Sequence, residues 1–515
     1  TASNAPSITG FSPGIGTAGT AVTIMGTNFD SQSAYNKVTF NISRAATLSA
    51  TTTSISTSVP SNTTSGRIVV STPTGRAVGG DFFIPPSPYT EADVETTGRM
   101  TQGDTKTVAI NSANKIGLIV FDAIAGDRIS LRSSNSTFSS CVNVTLLKPD
   151  ANSLVPRVCL GSSGFVDQQI IPTTGSYTFL VDPQNTGTGS LNLTLNSVPD
   201  VTGAIIIDGP SVPLTISVPG QNAKLTFNGA AGQRISLSVS SPTPHYLTIR
   251  NPDGSVLYPA HYDYGLQFTD ALILPASGTY TIFLDPLSTY TGSFTSTLYS
   301  VPPDVTGTIS ASGPPATITT TAPGQNGSLA FVGSAGERIN LLITNITGMS
   351  NYSSATIKDP VGTIIPPAIS GFTSYTDVLT LQIAGTYTIA VDPYKATFGS
   401  MTLQLYDVPQ DATASISIGG PTATVTTTVP GQNAAVTFNG MAGQQVTLHF
   451  ANNALGRVDV TLIKPDQSVQ ATLTSFFVSF DMATQTLPMD GIYIIKINPR
   501  DGRESGGIDV NATNP

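Results

Sequence analysis

Residues 218–237 read VPGQNAKLTFNGAAGQRISL. Two close copies follow, APGQNGSLAFVGSAGERINL from Ala322 and VPGQNAAVTFNGMAGQQVTL from Val429, and a more divergent one, KIGLIVFDAIAGDRISL, precedes them from Lys115. Within the first copy Leu225 and Phe227 stand two apart, as do Ile235, Leu237 and Val239. Alternation of this kind, carried by Thr, Val, Ile, Tyr and Phe, predicts half-buried strands. Pro219-Gly220 suits a type II turn, with Pro fixing φ and Gly accepting a positive φ after it. Further turn signals follow at Asn228-Gly229, Pro252-Asp253-Gly254 and Ser277-Gly278. Turns this frequent point to an antiparallel sandwich. No stretch shows a capped 3.6-residue period, so almost no helix is expected.

The copies keep a ruler. The Ala-Gly glycines fall at Gly126, Gly232, Gly336 and Gly443. A Gly-x-Tyr follows in each, with the tyrosines at Tyr177, Tyr280, Tyr387 and Tyr493, and then Asp182-Pro183, Asp285-Pro286, Asp392-Pro393 or Asn498-Pro499. Units close on Val-Pro at Pro199, Pro302 and Pro409, and the same phase predicts a closing proline at 515, where Asn514-Pro515 stands. A period of about 105 residues is the size of an independent domain rather than of a solenoid turn. The expected architecture is all-β, a tandem array of five immunoglobulin-like antiparallel β-sandwich domains. Their expected bounds are 1–86, then four repeats at 87–202, 203–306, 307–411 and 412–515. The four tyrosines resemble corner tyrosines, whose ring packs inside while the hydroxyl ties a loop. The functional alternative is that Gln221-Asn222 or the Asp285-type carboxylates bind a ligand or Ca²⁺. Recurrence in every unit favours scaffolding.

Residues 6–83 differ. PSITGFSPGIGTAGTAVTIMGTNF places Pro6, Ile8, Phe11, Pro13, Gly19, Val22, Ile24, Gly26 and Phe29, followed by VTF at 38–40, SVP at 58–60, GRIVVSTPTGRAV at 66–78 and DFFI at 81–84. This segment closely resembles the IPT/TIG domain, which implies an immunoglobulin-like sandwich of the kind found in surface receptors, secreted bacterial proteins and some transcription factors. Residues 115–515 are similar to modules in the β-rich regions of bacterial YD/RHS-repeat proteins and, more distantly, to bacterial pre-peptidase C-terminal domains. That resemblance implies a secreted or surface-bound chain without catalysis of its own. The Tyr-Asp repeat array is missing, so no toxin or shell role is carried over.

The chain has 515 residues, of which only 10% are charged, and a net charge of −9. Its 22 basic residues are thinly spread, which argues against nucleic acid. No run of 18 apolar residues occurs, so no membrane-spanning helix is expected. Thr1 reads as a processed terminus. Cys141 and Cys159, 18 apart, are expected to form a disulfide in an extracellular setting. His245, His261 and His449 lack metal-ligand spacing, and no nucleophile elbow or nucleotide-binding glycine pattern appears. Catalytic residues, cofactors and metals are therefore not expected. Possible glycosylation sequons stand at Asn41, Asn62, Asn135, Asn143, Asn192, Asn345, Asn351 and Asn511.

The expected function is that of a non-catalytic, secreted or cell-surface structural protein. It reads as a rod-like subunit that associates head to tail into a fibre. The alternatives are an adhesin or carbohydrate-binding stalk using tyrosine-rich loops such as LYPAHYDYG at 257–265, or the N-terminal stalk of a larger secreted protein.

Overall fold

A computed structural model describes residues 5–371, 374–500 and 504–515. Strands dominate, and the helical segments among the described residues are two single 3₁₀ turns, Ser33–Tyr35 and Glu91–Asp93. The N-terminal segment has two four-stranded sheets. One orders Ser7–Ser12, Ala21–Thr27, Ser54–Ser58 and Thr47–Ala50; the other orders Ser43–Ala45, Lys37–Phe40, Gly66–Thr72 and Gly75–Phe82. Along Ala21–Thr27 every second residue is buried, which places Val22 and Ile24 against Phe40, Ile55, Ile68 and Phe82 between the layers.

Each repeat is built around one cross-strand pair. Phe121 sits opposite Tyr177, Phe227 opposite Tyr280, Phe331 opposite Tyr387 and Phe438 opposite Tyr493. The rings stack with centroids 5.7, 5.2, 5.2 and 5.4 Å apart, and all four tyrosines are fully buried. Such pairs add about 0.5–1.5 kcal/mol beyond the area they bury. Each phenol is satisfied by the turn four residues back. Tyr177 donates to the Thr173 carbonyl at 2.8 Å, Tyr280 to Ala276 at 2.6 Å, Tyr387 to Ile383 at 2.7 Å and Tyr493 to Met489 at 2.9 Å.

The glycine two residues before each tyrosine has a packing reason. At Gly278 (φ +150°) a Cβ would lie 2.8 Å from the Pro252 ring, and Gly175, Gly385 and Gly491 meet Pro149, Pro360 and Pro465 in the same way. The prolines Pro149, Pro252, Pro360 and Pro465 and the Gly-x-Tyr motif are thus two sides of one contact. The Ala-Gly glycines, Gly126, Gly232, Gly336 and Gly443, sit in turns at positive φ.

Two features depart from the sequence reading. The first strand of each repeat is parallel, not antiparallel: Val94–Arg99 runs beside Ile116–Ala123, Val201–Ala204 beside Ala223–Gly229, Val305–Thr308 beside Gly327–Gly333, and Ala412–Ser415 beside Ala434–Gly440. Parallel neighbours need a crossover, and here it is a strand of the opposite layer, such as Val212–Ile216. Second, the repeat at 203–306 joins its two layers into one seven-stranded sheet. The strand Arg234–Arg250 pairs with Gly292–Ser300 through Ile235–Ser240 and with Gly278–Pro286 through His245–Arg250. Between them Pro242 and Pro244 cannot donate to a ladder, and the register shifts from Ser241 to His245. The strand changes layer there. The LYPAHYDYG stretch, expected as a loop, lies within its partner strand Val256–Ile273.

Cys141 and Cys159 form a disulfide, with Cys159 opposite Asn143 on the neighbouring strand. Replacing Cys141→Ser removes an 18-residue closure and lowers the stability of this repeat by about 3 kcal/mol in the chain-entropy model. Differential scanning calorimetry of the full chain is expected to show one transition moving down while the others stay. An unchanged thermogram would contradict this.

Candidate functional site

The candidate site is the set of junctions between successive repeats, where residues distant in sequence meet in a recurring pattern. Three contacts build each one. The first is a wedge formed by the Pro-Gly turn of the incoming repeat. Ser130 donates to the Pro219 carbonyl at 2.6 Å, and Ser236 to the Pro323 carbonyl at 2.8 Å. The approach is close enough that a Cβ on Gly220, Gly324 or Gly431 would stand 2.6, 2.9 or 2.8 Å from the Cβ of Ser130, Ser236 or Asn340. Positive φ at the same glycines (+83°, +79°, +84°) excludes a side chain a second time.

The second contact is a glutamine staple within the incoming turn. Gln221, Gln325 and Gln432 donate to the carbonyls of Pro199, Pro303 and Gln410 at 2.9, 2.7 and 2.7 Å, while their side-chain oxygens accept from the backbone of Ser217, Thr321 and Thr428. The next residue, Asn222, Asn326 or Asn433, accepts the first linker N–H, from Val201, Val305 or Ala412. In the structure Gln221-Asn222 holds the linker.

The third contact is an arginine clamp. Arg128, Arg234 and Arg338 reach the linker carboxylates of Asp200, Asp304 and Asp411 at 3.1, 2.7 and 2.6 Å. Lys224 of the incoming repeat also reaches Asp200, at 2.6 Å, so that carboxylate is gripped from both sides. Partly exposed pairs contribute about 0.2–1 kcal/mol each.

A fourth element sits beside the clamp. Asn498 donates to Asp377 of the preceding repeat at 3.1 Å. At the first repeat junction the corresponding pair is Asp285 and Asp167. Burial, then the nearby charges of Asp167 and Asp200, push the Asp285 carboxyl up to about 6. Asp392 is raised in the same direction by burial and Asp270, but it is exposed and more strongly screened by water.

The N-terminal segment meets the first repeat differently. Asn41 accepts from the Ser176 N–H at 3.0 Å and donates to its carbonyl at 2.7 Å, acting as a local strand partner. Arg99 pairs with Asp81 on one side and Asp122 on the other. An open cleft of about 500 Å³ lies beside this contact, lined by Arg67, Arg76, Asp122, Asp127, Ile42 and Ile124 among others.

Other sequence candidates are not brought together. Asp253 and Asp466 accept from the backbone and hydroxyl of Ser255 and Ser468, which hold their carboxyls low. Both are turn-forming residues. His245 is buried, its Nδ1 against the Thr243 carbonyl and its ring edge-on to Phe294; desolvation pushes its pKa down. His261 lies 3.6 Å from Asp263, and His449 bridges Asp481 and Thr513. On the 203–306 repeat Tyr246 and Tyr262 pair across strands with rings 6.1 Å apart, and with Tyr264 they are exposed.

Of the sequons, Asn62, Asn135, Asn345 and Asn351 are exposed, Asn192 and Asn511 are half-buried, and Asn143 is buried with its amide on the Asp182 carbonyl. Asn41 is engaged at the junction as described. The arginine clamp and the Asp167, Asp270, Asp377 series escaped the sequence reading. Their signal was present: the arginines stand two residues after the Ala-Gly glycines of the first three repeats, and the aspartates eight before the Gly-x-Tyr glycines of the same three.

The model of the IPT/TIG domain family matches residues 6–83. This stretch is an IPT/TIG domain. No curated protein matches the chain. Among solved structures, an auxiliary nutrient binding protein from Bacteroides thetaiotaomicron is similar at 20% identity over 21% of this chain and 24% of that one, with a TM-score of 0.15. The pre-peptidase C-terminal domain of a collagenase from Bacillus anthracis is similar at 13% identity over 20% of this chain and 99% of that one, with a TM-score of 0.17. SGBP-B of the Bacteroides ovatus mixed-linkage glucan utilization locus, solved with a mixed-linkage heptasaccharide, is similar at 11% identity over 55% and 72%, with a TM-score of 0.13. At these scores the likeness carries no argument about function.

Two outcomes follow from the contacts around the IPT/TIG domain and the repeats. Gly324→Ala strains a positive-φ position by roughly 1–2 kcal/mol and drives a methyl into Ser236. Limited proteolysis is expected to nick the 301–308 linker faster while the repeats stay intact; unchanged protection would refute the wedge. In a host that glycosylates sequons, peptide mapping is expected to find glycan at the exposed Asn62, Asn135, Asn345 and Asn351, and none at Asn41 or Asn143.

Proposed function

We propose that the chain is a non-catalytic structural rod of the cell exterior, whose work is to hold its ends at a fixed spacing and orientation. One observation carries this reading: the same wedge and clamp recur at all three repeat-to-repeat junctions. When successive units meet through equivalent residues, each is set on the last by nearly the same rotation, and the array is regular rather than a string of loose beads. The immunoglobulin-like IPT/TIG domain, the disulfide and the low content of charged residues fit an extracellular setting. Head-to-tail association of such rods into a fibre is the assembly we propose for it.

Small-angle scattering of the full chain is expected to give a narrow, elongated distance distribution, with negative-stain images of straight particles of constant length. A broad distribution with freely bent particles would refute the rod. Filaments that grow with concentration would place it as a fibre subunit; single rods at every concentration would leave it a stalk.

A second reading is favoured by one local observation. The exposed Tyr246, Tyr262 and Tyr264 stand on the repeat whose layers are merged, and a second exposed tyrosine pair, Tyr352 and Tyr394 with rings 5.3 Å apart, lies on the next repeat. Exposed tyrosine rings receive the apolar faces of sugar rings, so the rod would also carry a glycan-binding patch. Glycan-array binding lost in Tyr262→Ala would support it, and absence of any binding would remove it.

A further inference from the structure

Three consecutive apolar residues, Phe476, Phe477 and Val478, stand at 69%, 58% and 65% exposure between the strands Val469–Ser475 and Phe480–Thr486 of the last repeat. The sandwich plan does not call for them. In the first repeat the corresponding connection, between Ser153–Leu160 and Phe165–Ile170, is Gly161-Ser162-Ser163-Gly164. A run of exposed apolar side chains that the fold does not need marks a contact surface.

The tip is held in place by its own hydrogen bonds. The Phe477 N–H donates to the Ser475 hydroxyl at 3.2 Å. The side-chain amide of Asn453 donates to the carbonyls of Phe477 and Gly456 at 3.2 and 2.8 Å, and its backbone N–H donates to the Val478 carbonyl at 3.0 Å. At the base Phe480 stacks on the buried Phe450 with centroids 4.7 Å apart. The rings of Phe476 and Phe477 lie 4.3 Å apart. A backbone fixed in this way presents its apolar side chains with little left to order on contact.

Two cations border the tip. Val458 pairs with Ser475 on one side and with Pro499 on the other. Arg457, Phe476 and Arg500 therefore extend three neighbouring strands by one residue at the same end, and the Arg500 N–H donates to the Arg457 carbonyl at 2.7 Å. Both arginines are exposed. Arg500 reaches Asp459 at 3.4 Å, and Arg457 makes no ion pair among the described residues. Guanidinium groups match phosphate oxygens in geometry and charge.

We propose that this tip docks on a phospholipid surface, with Phe476, Phe477 and Val478 entering the boundary between headgroups and acyl chains while Arg457 and Arg500 hold phosphates. An apolar wedge of this kind sinks about 5–10 Å. The guanidiniums, set at the base of the wedge, then fall at the depth of the phosphates. This pairing of an apolar tip with a cationic collar favours a lipid surface over an apolar protein groove. The net charge of −9 does not oppose it, because at physiological salt charges more than about 8 Å away are largely screened and the local pair decides.

The chain contains no tryptophan, so Phe477→Trp places a lone reporter at the tip. The full chain carrying it is mixed with phosphatidylcholine vesicles, with and without phosphatidylglycerol. Its emission is expected to shift to the blue and to be quenched by lipids brominated in their acyl chains. In cosedimentation with the same vesicles, Phe476→Ser is expected to lower the partition coefficient of the chain at least about tenfold. Arg457→Gln is expected to lower it about fivefold on the vesicles containing phosphatidylglycerol. The altered side chains are exposed, and an unchanged thermal transition checks that the fold is kept. Absence of both the shift and cosedimentation would overturn the proposal, as would binding that Phe476→Ser leaves unchanged. Self-association without vesicles, abolished by Phe476→Ser, would overturn it in favour of a contact between copies. The shape of the rod is read separately by scattering, so failure here leaves that reading standing.

Discussion

The arrangement of this chain depends on its linkers being strands. Val201–Ala204, Val305–Thr308 and Ala412–Ser415 are both the connection out of one repeat and the parallel edge of the next. A flexible tether would carry its own solvated backbone and leave neighbouring units free to turn. Here the backbone groups of the connection are committed to a sheet, and a commitment of this kind fixes direction as well as distance. The glutamine staple and the asparagine carbonyl belong to the same device, because they set the register at which the linker enters.

Once the linker is fixed, the remaining contacts become intelligible as small adjustments of one geometry. The Pro-Gly turn projects toward the preceding repeat because it directly precedes the strand on which the linker lies. Only a residue without a side chain fits between that turn and Ser130, Ser236 or Asn340. Arginine suits the clamp because its stem packs along the sheet while its head reaches the linker carboxylate. The variation sits at single positions, serine or asparagine under the wedge and aspartate or asparagine beside it, and so changes the strength of a junction while leaving its plan alone.

Much of this was legible in the sequence, and the reasons for the rest are physical. Period-2 runs such as Leu225, Phe227 and Ile235, Leu237, Val239 announce buried strand faces because alternation is a local property. The IPT/TIG segment was legible for a related reason, its glycines and prolines marking turns whose chemistry is local too. The parallel edge strand was not, because direction of pairing depends on what crosses over, and the four-residue linker strands carry little pattern of their own. The merged sheet of the 203–306 repeat was hidden for a similar reason. Pro242 and Pro244 carry no pattern that tells a turn from a change of layer, and in the fold they mark where one strand passes from layer to layer. The junction partners recur at fixed spacing, yet a spacing does not say which neighbour a side chain faces. Only the fold sets Arg234 against Asp304 and Asn498 against Asp377.

A linker that doubles as an edge strand also determines how the chain carries mechanical load. Tension along the array enters each repeat through that strand's own axis. Its ladder to Ala223–Gly229, or the corresponding strand elsewhere, lies across the pull, so the hydrogen bonds are strained together in shear instead of parting one by one from an end. Stretching such a chain meets resistance first at the joints, the places where a string of domains would ordinarily yield.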